Sequence, residues 1–152
     1  MLGQRNPTDV QVAMSEAFER WRRSIGSDRS AATEGFLGEL RQTLVLATEA
    51  SDRRELRSAC LGLAVGAMSA TALAAAIAKP LPTPAGGPHP LGEEIAASAG
   101  RWAHDPPPSW FAAARSALAE VADPDTEPAV MQSTFCDLAG LGIAWAAALG
   151  PR

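Results

Sequence analysis

Tyrosine is absent and aromatic residues supply only 5% of the 152 positions, so large rings are scarce building material. Strand formers never gather in an alternating run, which argues against a sheet-built core. Only two cysteines occur, Cys60 and Cys136, without CxxC spacing and inside apolar runs. A disulfide scaffold is therefore excluded, and the expectation is two buried thiols in a reducing, cytoplasmic setting. Two histidines, His89 and His104, come with no Glu-x-x-His or His-x-x-x-His, which removes the common metal frameworks. No GxGxxG or Walker loop is found, and "AGG" and "GLG" lack the strand that phosphate loops follow. The opening "MLGQRNPTDV" has no apolar stretch of the kind a signal peptide carries. No metal and no cofactor is therefore expected.

Alanine is plentiful, about a fifth of the chain, and it has the highest intrinsic helix propensity. Arginine outnumbers lysine twelve to one, as in a high-GC bacterial genome. The net charge is −4, which disfavours general binding to phosphate backbones. It is unevenly spread: residues 1–90 carry ten basic and nine acidic side chains, residues 91–152 three and eight.

Helical punctuation divides the chain into six segments. Asn6–Pro7–Thr8–Asp9 reads as a helix start, followed by Val10, Met14, Ala17, Phe18, Trp21 and Ile25 at helical spacing. Ser30 or Thr33 caps a second helix with Phe36, Leu37, Leu40, Leu44 and Val45 on its inner face. Asp52 and Glu55 have the spacing of a capping box and open a third. "PLPTPAGGPHP", residues 80–90, reads as a stiff proline-rich linker. Further helices are expected over Leu91–His104, over about Pro107–Ala122 and from the Asp123–Thr126 turn to near Leu149.

The second half echoes the first. Arg20–Trp21 is matched by Arg101–Trp102, and Arg41 and Leu44 by Arg115 and Leu118. Cys60, Gly66, Ala70 and Leu73 match Cys136, Gly142, Ala146 and Leu149 at one constant offset. The expected architecture is one all-α domain over residues 1–152. It is a six-helix bundle, read as a duplicated three-helix unit with pseudo-repeats at about 6–79 and 91–150.

The third helix contains "SACLGLAVGAMSATALAAAIAK", uncharged from Ser58 until Lys79. A membrane span is one reading, with Arg53, Arg54 and Arg57 as flanking anchors. It is a poor one. The stretch is mostly small residues, and its counterpart carries Asp137, a charge that costs about 2.5–3.5 kcal/mol at membrane depth. The better reading is a central buried helix. Cys60, Gly62, Gly66 and Ala70, with Cys136, Gly140 and Gly142 on its counterpart, then let the two backbones approach closely.

Catalytic constellations are missing. His104–Asp105 is the only histidine–carboxylate neighbour pair, and an exposed helix end explains it. The "RWRR" cluster at residues 20–23 reads as a solvated face paired with Glu16 and Glu19. The four tryptophans, Trp21, Trp102, Trp110 and Trp145, either fill gaps left by small neighbours or line a cavity between the halves. In the second case Arg20 and Arg101 would fix a carboxylate or phosphate head group. The expected function is a non-enzymatic interaction module: a small subunit, adaptor or regulatory partner, self-associating or bound to another protein, without nucleic acid or membrane. A small apolar-ligand binder or pocket-type enzyme is the alternative.

Overall fold

The computed structural model describes residues 29–78, 90–123 and 125–150. Within them the chain is all-helical: α1 (Arg29–Thr48), α2 (Arg53–Ala78), α3 (Pro90–His104), α4 (Trp110–Ala122) and α5 (Pro128–Ala148), with no strand. The helix expected at residues 6–25, with Arg20 and Trp21, lies outside the described residues, as does the linker up to residue 89.

The inner face of α1 is Phe36, Leu37, Leu40, Leu44 and Ala47, all buried. Val45, expected beside Leu44, is instead 47% exposed. One residue further along a helix turns the side chain by about 100°, which carries Val45 off the stripe. The capping pair opens α2 as expected: Asp52 Oδ1 accepts the Glu55 N–H at 2.8 Å. The returning bond is displaced by one residue. Glu55 accepts from the Ser51 N–H at 3.2 Å and from its hydroxyl at 2.9 Å. Such caps stabilise a helix by about 0.5–2 kcal/mol.

Three boundaries differ from the sequence reading. Helix α1 starts at Arg29, so Ser30 and Thr33, each read as its cap, lie inside it. Pro90, assigned to the linker, is the first residue of α3, where its missing N–H costs nothing. Helix α4 starts at Trp110 rather than Pro107, and the Ser109 hydroxyl caps it by accepting the Ala112 N–H at 3.2 Å. A residue preceding proline is pushed out of helical conformation, so Pro106–Pro107–Pro108 delays the start. The α4–α5 turn is closed by Asp123, whose carboxylate accepts the Asp125 N–H at 2.9 Å. Helix α5 then begins with Pro128 and stops at Gly150, whose φ of +85° suits glycine.

Helices α2 and α5 are the centre and share the most extensive contact; α1 packs on α2, α3 and α4 pack on α5, and α1 touches α4. Burial is unbroken over residues 66–71 of α2 and 138–146 of α5. Where a helix is surrounded on all sides it has no need of a polar face, which accounts for the uncharged run over residues 66–71. Among the described residues no helix is long and apolar enough to cross a membrane.

The glycines do not all serve the central contact. Of the four glycines expected at the central contact, Gly142 alone meets it: a Cβ there would sit 2.9 Å from the Cys60 carbonyl oxygen and 3.0 Å from the Ala64 nitrogen. Gly140 faces α3, where a Cβ would meet Ser98 Cβ at 2.6 Å and the Ala99 nitrogen at 2.7 Å. Gly66 and Gly62 face α1, towards Leu40 Cδ2 at 3.0 Å and Thr43 Cγ2 at 3.4 Å. The expected glycine-to-glycine seam is thus one glycine against α2, with the others letting the outer helices approach. Cys60 and Ala70 are buried as expected.

Candidate functional site

Helices α3 and α4 both lie on α5 and are joined by the short 105–109 segment. Beside that segment, the Trp102 and Trp110 ring centroids are 6.5 Å apart. Between the two helices runs a groove of about 840 Å³ with α5 as its floor. Glu94, Ser98, Arg101 and Trp102 line it from α3, Ser116, Ala117 and Glu120 from α4, and Gln132, Ser133, Cys136 and Asp137 from α5. These positions recur every three or four residues, so each helix turns one face to the groove.

Asp137 is the hub. Its Oδ1 accepts the Ser98 hydroxyl at 2.7 Å and the Trp102 Nε1–H at 3.2 Å. Arg101 stands 3.7 Å from the same oxygen. Arg101 and Trp102 thus meet a carboxylate of the chain itself, and Arg101, read as a possible holder of a ligand head group, stands largely in solvent beside it. With the Arg101 side chain 70% exposed, this ion pair contributes little stability. The Ser98 bond matters more, because Ser98 is buried and its hydroxyl would otherwise lose its side-chain acceptor.

Two further carboxylates stand on the groove walls. Glu94 accepts a long bond from the Cys136 thiol at 3.5 Å, and Glu120 accepts the Thr134 hydroxyl at 2.7 Å. Burial pushes the Cys136 thiol up to about 12, and the Glu94 charge and hydrogen bond push the same way. Cys60 is also pushed up to about 12, by burial alone. Both are protonated, unreactive thiols at neutral pH. Among the described residues no group of three His, Cys, Asp or Glu side chains is arranged to hold a metal.

The tryptophans meet each other. Trp145 is 3% exposed, stacks on Trp110 with centroids 6.1 Å apart and planes 8° from parallel, and receives Phe111 edge-on at 4.8 Å. Aromatic pairs in such geometries add about 0.5–1.5 kcal/mol each beyond their burial. Of the three described tryptophans only Trp102 lines the groove. His104 and Asp105 are exposed at the end of α3.

Sequence reasoning overlooked Glu94, Ser98 and Glu120 as site residues. The signal for the first two was present, since Glu94, Ser98, Arg101 and Trp102 share one helical face. No known family matches the chain, and neither a curated protein nor a solved structure matches it.

Proposed function

We propose that the chain is a non-enzymatic helical interaction module, a small subunit, adaptor or regulatory partner, whose binding face is the groove on α5. The observation that carries this reading is the groove's charge arrangement. Glu94, Glu120 and Asp137 come from three different helices, and the single arginine among them, Arg101, is already beside Asp137. A trough flanked by two helices suits a third helix laid along it, and its acidic walls favour a basic partner segment. The contacts among Trp102, Trp110 and Trp145 also favour this reading over a tryptophan-lined ligand cavity, because the rings cover one another.

Native mass spectrometry and light scattering on protein purified gently from its own host test the proposal. The expected result is a defined complex with another polypeptide, lost when Glu94 and Glu120 are both replaced by arginine. A complex that survives both charge reversals would remove the groove as the binding face. A lone chain carrying a few hundred extra daltons would favour the ligand reading.

We also infer a duplicated three-helix ancestry. In its favour, α1 packs on α2 as α4 packs on α5, and the matched α2 and α5 pack on each other. Superposing residues 6–79 on 91–150 in a crystal structure tests it: Cys60 must fall on Cys136.

A further inference from the structure

We propose that a second groove, between α1 and α4, binds a small amphipathic anion with a carboxylate head and a short aliphatic tail. This groove measures about 350 Å³ and is lined by Arg41, Leu44, Val45 and Thr48 of α1 with Arg115 and Leu118 of α4. Each helix thus contributes an arginine and, three residues on, a leucine. These are the same Arg41–Leu44 and Arg115–Leu118 pairs that match between the halves of the sequence.

The chemistry follows from what the groove combines. Leu44 and Leu118 are each 7% exposed and form an apolar floor, with Val45 exposed beside them. Thr48 turns its hydroxyl to the Leu44 carbonyl at 3.0 Å, so it offers the groove little polarity. Arg41 and Arg115 are exposed on opposite walls. Among the described residues neither guanidinium has an ion-pair partner. Two like charges facing one groove repel, and an anion between them turns repulsion into attraction. A carboxylate matches the planar guanidinium fork with two parallel hydrogen bonds. The leucine floor then selects an aliphatic tail over a wholly polar ion, and the volume lies near the lower end of pockets that hold small ligands, about 300–1,000 Å³. A second copy presenting the same face would bring four arginines together, which disfavours self-association here.

Isothermal titration calorimetry of the full chain with octanoate, butanoate and octylammonium tests the proposal. Octanoate is expected to bind saturably, about three- to fourfold more tightly for each methylene added beyond butanoate. Octylammonium is expected not to bind. Arg41→Gln and Arg115→Gln should each weaken octanoate by about tenfold or more, with circular dichroism unchanged because both side chains are exposed. Glu94→Gln, in the other groove, should leave octanoate binding as it is. No saturable octanoate binding, equal binding of octylammonium, or indifference to both arginine substitutions overturns the proposal. So does a dimer, seen by light scattering, that dissociates on either substitution.

Discussion

Helices α2 and α5 carry the same markers at one spacing, Cys60, Gly66 and Ala70 against Cys136, Gly142 and Ala146, yet they place them against different neighbours. Gly142 presses on the α2 backbone, whereas Gly66 faces the end of the Leu40 side chain on α1. Cys136 lies beside the Glu94 carboxylate, whereas Cys60 is raised by burial alone. Helix α5 also keeps Asp137 within its span, tied to Ser98 and Trp102 of α3. Equal spacing in the sequence therefore does not mean equal energetic roles. A glycine against backbone has no room to yield, while one against a flexible side chain has some.

Substitution should separate these roles. Gly142→Ala and Gly140→Ala are expected to lose at least about 2 kcal/mol each in urea unfolding, because backbone atoms cannot retreat from the new methyl. Near-neutral values would mean that α5 is not pressed against α2 and α3. Asp137→Ala should cost about 1–2 kcal/mol, since Ser98 and Trp102 lose their carboxylate acceptor, whereas Asp137→Asn should cost less. An equal loss for both would assign the effect to charge rather than to hydrogen bonding.

The two thiols give a pH test. Each has a folded pKa of about 12 against an ordinary value of 9.0. Between those values the unfolded chain releases a proton that the folded chain keeps. Their contribution is therefore complete below pH 9 and falls as pH rises towards 12, by about 1.4 kcal/mol per pH unit for each thiol. Thermal melts from pH 8 to 11 should show this loss, and Cys60→Ala with Cys136→Ala should flatten it. Glu94→Gln should lower the alkylation pH profile of Cys136 and leave that of Cys60 unmoved.

The smallest effects belong to the α1-facing glycines. Gly62→Ala is expected to stabilise by up to about 1 kcal/mol, because a Cβ there makes an ordinary contact with Thr43 and alanine favours helix. Gly66→Ala should fall within about 0.5 kcal/mol of neutral, the same gain being offset by displacement of Leu40. A large loss at Gly66 would make the two central helices more alike than the contacts indicate.

Much of the fold was legible because it rests on local chemistry. The Asp52–Glu55 pair and the Asp123–Thr126 turn announce helix starts through rules that act over about four residues. Val45 was misjudged because neighbouring apolar residues blur the edge of a helical stripe. The start of α4 was misjudged because proline tolerates a first turn, and only the Ser109 cap identifies which turn that is. In the candidate site, Arg101 and Trp102 stood out as the match of Arg20–Trp21, but the carboxylate they meet lies thirty-five residues beyond Trp102, out of reach of any local rule. In the sequence Asp137 stands out as a charge unfit for membrane depth and as the charged neighbour of Cys136, not as a partner of α3.

Composition and short-range spacing alone determined that the described chain is helical, that α2 carries a long run without charge and that its thiols are not a disulfide scaffold. Each follows from propensity or periodicity, which act within a few turns of helix. Tertiary structure decided which glycine touches backbone, that Asp137 answers Arg101 and Trp102, and that Arg41 and Arg115 share one groove. Those outcomes depend on how helices rotate and seat against one another, and small side chains permit many such seatings until the whole core selects one.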